Sequence, residues 1–237
     1  MYLSDMHTHS IASGHGTSCT ISEMAKKAAS QGIKLLGITD HGPATLTAGT
    51  PSYFRSLTFS PKKRFGVELL YGIELNILNT NGDVDLEEEL LSKLDYAIAS
   101  MHWQNYRGRT AAENTEAFVN VMKNPHVKIL GHCDNPAYPV DYDTIVACAK
   151  ENDVILEMNE ASLAPYSYRG DTRENCAEIL RCCLKYQVPI VLSSDSHGKE
   201  HIGDFTYAAE FVHQSIFQES LILNNQIPRL KVFLQTR

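Results

Sequence analysis

His7 and His9 stand one residue apart near the start of the chain, and Asp195 and His197 repeat that spacing far downstream. In a β-strand, residues i and i+2 point to the same face, so each pair presents two donors side by side. Between them lie His15, His41 in Ile-Thr-Asp-His-Gly, Glu74 in Gly-Ile-Glu-Leu, His102 in Ser-Met-His-Trp and His132 in Gly-His-Cys-Asp. Seven of the ten histidines belong to this set of nine side chains. A lone buried histidine is usually a packed one, but so many at the ends of apolar runs read as a metal site. The donors are imidazoles and two carboxylates with no thiolate, which favours zinc, manganese or iron over magnesium or calcium. Nine donors are too many for one ion. With one bridging carboxylate they supply three divalent ions with three or four protein ligands each, and the open positions that remain indicate catalysis. Cys133 adjoins His132 but would face the other way on a strand. His126, His201 and His213 read as surface or packing residues, with His201 near enough to the last motif to reach a pocket.

Seven apolar runs must position these residues: Tyr2–Met6, Lys34–Thr39, Leu69–Ile73, Tyr96–Met101, Val127–Gly131, Val154–Met158 and Pro189–Ser194. Short apolar runs bounded by turn residues suit strands buried on both faces of a parallel sheet. Helical segments alternate with them. Thr20-Ile21-Ser22-Glu23 is a capping box, and Gly32 closes that helix. Further helices are expected over Asp85–Lys93, Thr110–Met122, Asp141–Glu151, Arg173–Tyr186 and Asp204–Gln214. Strand–helix alternation with donors at the strand ends predicts an α/β fold, a TIM-like (β/α)7 barrel with its site at the C-terminal mouth. The connection from Gly42 to Gly66 contains Pro43, Pro51 and Pro61 and has weak helical period. A loop that long is either a lid over the substrate or a surface insertion. The tail from Phe217, with Pro228 and the apolar Leu230–Leu234 stretch, is expected on the barrel exterior.

A chain of 237 residues is long enough for one barrel domain spanning 1–237. Its apolar fraction of 43% and charged fraction of 21% are ordinary for an enzyme. The net charge of −7 argues against a general affinity for nucleic acid. No run is long enough to span a bilayer, and the N-terminus leads straight into the first histidine motif, so a cytoplasmic protein is expected. The six cysteines form no CxxC pair and read as reduced thiols.

Taken in order, Asp5-x-His7-x-His9, His15, Asp40-His41, Glu74, His102, His132 and Asp195-x-His197 resemble the PHP family, named for polymerase and histidinol phosphatase. The match spans nearly all of the chain up to residue 197. The length, the Ile-Thr-Asp-His-Gly-Pro run and the Asn-Pro after His132 look most similar to the YcdX-type phosphatases. The resemblance implies a distorted (β/α)7 barrel with a trinuclear centre, often zinc. It implies one metal on His7, His9, Glu74 and Asp195, a second on Glu74, His102 and His132, and a third on His15, His41 and His197. Asp5 and Asp40 would then orient histidines. Two departures bear on the substrate. Cys133-Asp134 follows His132 where such relatives tend to carry proline or a small residue, so Asp134 could add charge near the second metal. Trp103 follows His102 and alters the pocket wall.

The expected activity is hydrolysis of small phosphomonoesters by a hydroxide bridging two metals, with Asp195, His41 and Glu74 at the catalytic centre. The general acid for the leaving group is not identified by the sequence: His41, Asp195 and a metal-bound water are all candidates. Arg169, in Tyr166-Ser167-Tyr168-Arg169-Gly170, is the first candidate to clamp phosphate, followed by Arg173 and the Lys62-Lys63-Arg64 run. Each also reads as a solvated surface charge. Glu157, Asn159 and Glu160 either line the pocket or serve as hydrogen-bonded polar residues of the barrel. Three other activities compete. An amidohydrolase also begins with His-x-His, but usually needs eight strands and often a carbamylated lysine as bridge, and no lysine lies at a middle strand end here. A histidinol-phosphate or nucleotide-specific phosphatase fits the same donors. An inactive metal-binding module does not suit so complete a ligand set.

Overall fold

The computed structural model describes residues 2–235. The first strand is split into β1 (Ser4–Asp5) and β2 (Thr8–His9). A single 3-10 turn at Ile11–Ser13 then leads to α1 (Ile21–Ser30). The capping box forms as expected: the Thr20 hydroxyl accepts from Glu23 N, and the Glu23 carboxylate accepts from Thr20 N. β3 (Leu35–Ile38) is followed by α2 (Pro51–Leu57) and the short β4 (Lys63–Arg64), then β5 (Val67–Tyr71) and β6 (Ile73–Asn76). α3 (Glu88–Leu91), β7 (Ala97–Ser100), α4 (Ala111–Val121) and β8 (Val127–Leu130) come next. The chain continues through α5 (Tyr142–Glu151), β9 (Ile155–Asn159), the one-turn α6 (Glu160–Leu163) and α7 (Arg173–Tyr186). It ends with β10 (Ile190–Ser193), β11 (Ser196–His197), α8 (Thr206–Gln214) and α9 (Ile227–Gln235).

The pairings run in a ring. β1 pairs with β3 and β3 with β5, all in parallel. Past Gly72, β5 continues as β6, which pairs with β7. β7, β8, β9 and β10 follow in parallel order, with one register shift between Ala97 and Ile98. β11 then pairs with β2, His197 opposite His9, and closes a seven-stranded α/β barrel at its C-terminal mouth.

Along the strands, buried residues alternate between two clusters. Leu36, Ile38, Leu69, Tyr71, Leu156, Leu192 and their neighbours pack under the helices. Met6, Leu35, Leu70, Ile98, Ile129, Ile155 and Val191 form the second cluster, inside the ring. Followed toward the mouth in steps of two, the inner positions turn polar: Ile155 to Glu157 to Asn159, Val191 to Ser193 to Asp195, Ile98 to Ser100 to His102. The barrel is apolar at the bottom and carries its chemistry at the top. Gly37 is needed within it, because a Cβ there would run into the Tyr96 hydroxyl, which donates to the Met6 carbonyl at 2.6 Å.

Several expectations are corrected. The tail does not lie on the exterior. Leu223, Leu230 and Leu234 join the inner cluster and plug the barrel's bottom. Asn224 fills the gap where β1 and β10 do not pair. It accepts from Leu192 N at 2.8 Å and donates to the carbonyls of Ser4 and Leu192 at 3.0 and 2.7 Å. The Gly42–Gly66 segment is not a long loop but holds α2 and a strand antiparallel to β5, with Phe54 and Leu57 in the core. The helix over Asp85–Lys93 shrinks to one turn, because Asp85 is engaged elsewhere, accepting from Ala44 N and Asn76 N, both at 2.9 Å. β6 carries Glu74 inside a strand rather than after one. Among the described residues, no helix is long and apolar enough to cross a membrane.

Candidate metal centre

Glu74 is the hub of the mouth. It is fully buried, and five imidazoles surround it. Its Oε1 lies 2.9 Å from His132 Nε2 and 3.2 Å from His102 Nε2. Its Oε2 lies 2.6 Å from His41 Nδ1, 3.4 Å from His7 Nε2 and 3.5 Å from His9 Nε2. Asp195 Oδ1 stands 3.2 Å from His9 Nε2 and 3.6 Å from His7 Nε2. His197 stacks on His9 with ring centroids 4.2 Å apart. His15 is exposed, but its ring lies 4.7 Å from that of His41 and 5.1 Å from that of His197. All nine donors therefore meet at one place, and they come from six of the seven barrel strands or the loops just after them. Two of them, His132 and Asp195, have left-handed backbone conformations at φ 27° and 52°. Few non-glycine residues adopt these, and strain of this kind concentrates at functional sites.

Three of the imidazoles are held from behind. His7 Nδ1 donates to Glu157 Oε1 at 2.7 Å and His102 Nδ1 to Asn76 Oδ1 at 2.7 Å. His9 Nδ1 meets Ser13 Oγ at 2.8 Å, and that hydroxyl donates to Asp40 Oδ1 at 2.7 Å. With Nδ1 engaged in each, Nε2 is the atom that faces the cluster and would give its lone pair to an ion. Asp40 therefore acts on His9 only through Ser13, and it also accepts from Ser10 N and the Tyr53 hydroxyl. Asp5 touches no imidazole. It accepts from Ser194 N and Gly203 N and so fixes the turn that carries Asp195.

Burial and charge set the protonation of the cluster. Burial opposes a proton on His7, yet Glu157, Asp195 and Glu74 hold its pKa well above the ordinary value. Burial and the neighbouring His197 and His41 push His9 well below it. Burial disfavours the Glu74 anion, but His102, His7 and His41 keep it ionised far below the usual carboxylate range. The same competition, against His7, His9 and Arg169, depresses Asp195.

A metal fits this donor set. Among the described residues, ten buried side-chain polar atoms lack a hydrogen-bond partner, and five are His7 Nε2, His9 Nε2, His41 Nδ1, His41 Nε2 and Glu74 Oε2. Such atoms are costly unless something else satisfies them. Three overlapping triads have donor atoms within 4.8 Å of one another: His7, His9 and Asp195; His41, Glu74 and His102; His9, His41 and His197. The first agrees with the set implied by the PHP resemblance. The other two place His41 beside Glu74 and His9 beside His197, with His15 further out.

The cluster opens into a cavity of about 490 Å³, lined in part by Asp195, Arg169, Tyr168, Trp103 and Thr45. Arg169 is buried on its wall, 2.9 Å from Asp195 Oδ2 and within hydrogen-bond reach of Asn159 and Ser162. Arg173 is placed elsewhere, exposed and paired with Asp171. Lys62 pairs with Asp95 and Arg64 bonds to Ser22, away from the mouth. His201 does not line the cavity. Glu157, Asn159 and Glu160 are buried behind the wall, and Glu160 accepts from Tyr207 N and Ala208 N at the start of α8. Asp134 bonds to Ser162 and Cys176. Cys133 points into the outer core, away from the cluster. Sequence reasoning missed Asn76 and Ser13, which no motif marks.

A seven-stranded β/α barrel with a histidine–carboxylate cluster at its mouth defines a class of metal-dependent hydrolase scaffolds. The chain belongs to the PHP domain family, whose model matches residues 5–187. A probable phosphatase of Clostridium acetobutylicum is 39% identical over 236 residues, covering 100% of this chain and 96% of its own. One from Acetivibrio thermocellus is 38% identical over the same span. Among solved structures, the histidinol phosphate phosphatase of Lactococcus lactis, complexed with zinc, L-histidinol and phosphate, superposes with a TM-score of 0.65 at 17% identity, covering 92% of this chain and 95% of that one. A putative histidinol phosphatase from Listeria monocytogenes gives 0.63 at 21% identity, with 87% and 99% covered. At these identities the likeness is one of fold.

Proposed function

We propose that this chain is a metal-dependent phosphomonoesterase acting on small substrates, with residues 1–237 forming one PHP barrel domain around a trinuclear centre. The observation that carries the proposal is the convergence of five buried donor atoms that make no hydrogen bond, His41 Nδ1 and Glu74 Oε2 among them at 2.6 Å from each other, beside a cavity that also holds a guanidinium. His7, His9, Asp195 and Glu74 would hold one ion, Glu74, His102 and His132 a second, and His15, His41 and His197 the third. Zinc suits these donors, as do manganese and iron. When bound, the metals supply Lewis acidity, which makes water nucleophilic near neutral pH and offsets charge on phosphoryl oxygens.

The chain's own residues do the rest. Glu157, Asn76 and the Asp40–Ser13 pair fix three imidazoles with Nε2 turned inward, so the donors need no reorganisation when substrate enters. Arg169, whose Nη1 is held by Asn159 and Ser162 and whose Nη2 by Asp195, keeps its positive charge and its remaining N–H groups at the cavity wall, suited to orienting phosphoryl oxygens. The buried floor excludes bulk water and strengthens every charge interaction above it. Glu74 would occupy the role that an amidohydrolase often gives to a carbamylated lysine.

The test is metal content by plasma emission alongside p-nitrophenyl phosphate hydrolysis, with and without chelator. Two to three divalent ions per chain and nitrophenol release abolished by chelator are expected. Full metal occupancy without hydrolysis of any phosphomonoester would overturn the proposal.

A further inference from the structure

The cavity has two unlike sides. One is the metal-ligand cluster. The other is built by the loops after β7, β8 and β9, and it is largely aromatic and uncharged. Trp103 and Gln104 follow directly on His102, and the turn that carries them is tied back by Asn105 N and Tyr106 N, donating to the His102 carbonyl at 2.9 and 2.8 Å. Tyr106 is buried and meets Tyr138 edge-on, with ring centroids 6.1 Å apart, which locks the β7 loop to the β8 loop. Tyr168 lies over the Arg169 guanidinium at 4.8 Å, and that guanidinium is 2.9 Å from Asp195. An aromatic ring therefore adjoins the place where the phosphoryl group would sit. Trp103 and Tyr168 line this cavity while remaining 72% and 80% exposed. Large aromatic rings that stand largely exposed at a cavity rim are surfaces for a ligand to cover.

Charge narrows the ligand further. Among the described residues, the one carboxylate lining the cavity is Asp195, already engaged by Arg169 and the imidazoles. Asp134, Glu157 and Glu160 lie buried behind the wall. A cationic leaving group would find no free carboxylate, and desolvating it there is unfavourable. Gln104 and Asn135 offer neutral hydrogen bonds instead.

We infer that the preferred substrates are phosphomonoesters of alcohols bearing an uncharged aromatic ring, an aryl group or a nucleobase, with the ring seated against Trp103 and Tyr168. This rests on the phosphomonoesterase reading. The test compares kcat/KM of the metal-loaded enzyme for ethyl phosphate, 2-aminoethyl phosphate, 2-phenylethyl phosphate, adenosine 5′-monophosphate and L-histidinol phosphate. All are esters of alkyl alcohols, so differences report binding of the organic group more than leaving-group basicity. A preference of about fivefold or more for 2-phenylethyl phosphate or adenosine 5′-monophosphate over the ethyl and aminoethyl esters is expected, since covering a ring by stacking is worth about 5–150-fold. Trp103→Ala and Tyr168→Ala should each narrow that ratio severalfold, with folding checked by circular dichroism. Preference for the phenyl over the adenosine ester, or the reverse, tells which ring the wall was shaped for. Equal turnover of all the esters, or a preference for L-histidinol or 2-aminoethyl phosphate, would overturn the inference and leave the phosphatase intact. Turnover of none would remove both.

Discussion

Glu157 shows how a single buried carboxylate shapes the centre. One oxygen accepts from His7 Nδ1, and the other from His132 N at 2.7 Å and Asn159 Nδ2 at 3.0 Å. It fixes the tautomer of one donor and the strained backbone of another. A glutamine at this position has one accepting oxygen and cannot serve both sides, so Glu157→Gln should weaken metal binding by about 10–100-fold while the fold survives. Competition against a chromophoric chelator measures this directly, and equal dissociation constants for variant and wild type would remove Glu157 from the role. The sequence could not assign it. His7-x-His9 is legible because alternation along the split first strand puts both donors on one face, whereas Asp195, expected on a strand with His197, stands at φ 52° in the turn between β10 and β11. Glu157, Asn76 and Ser13 are ordinary polar residues whose meaning depends on which imidazole the fold brings to them. Arg169 was legible as a candidate because it follows a strand end, whereas Arg173, four residues on, is carried to the surface by the start of α7.

The elements divide in the same way. Local chemistry sets the boundaries that the sequence predicts well: the capping boxes at Thr20 and Thr110, the Asp141 cap of α5, and α7 over Arg173–Tyr186. What could not be read depends on distant partners. The apolar Leu230–Leu234 stretch has no periodicity that distinguishes the outside of a barrel from its floor, and Asn224 is unremarkable until two strands fail to meet. Removing its side chain strands the buried Leu192 N–H and two carbonyls. Asn224→Ala should therefore lower stability by about 3 kcal/mol, and Leu230→Ala by about 2–5 kcal/mol through the cavity it leaves. Both lie at the barrel end opposite the cluster, so metal content at saturation should not change. Denaturant titration with parallel metal analysis checks this, and a variant that loses metal but not stability would show that the floor and the mouth are not separate.

At the scale of the whole molecule, the mouth of the barrel works against folding unless something binds there. Five buried donor atoms that make no hydrogen bond, on Glu74 and three imidazoles, are gathered at the mouth that β2 and β11 close. Without metal, this end of the barrel carries the full cost of desolvating those groups. Ions that bind only the folded state add stability in proportion to the logarithm of their free concentration over the dissociation constant, about 4 kcal/mol at a thousandfold excess. For a chain of this size, about 2–4 °C per kcal/mol converts that to a chelator-induced drop in Tm of about 8–16 °C. Tm should keep rising with the logarithm of free zinc after the sites are full, because the ions bind only the folded state. The closing strands are joined by only the Ser196↔Thr8 and His197↔His9 pairs, so amide exchange should be fastest there in the chelated protein. A Tm indifferent to chelator, in protein shown to have lost its metal, would mean that the imidazoles satisfy one another through shared protons and that the cluster is not built around ions.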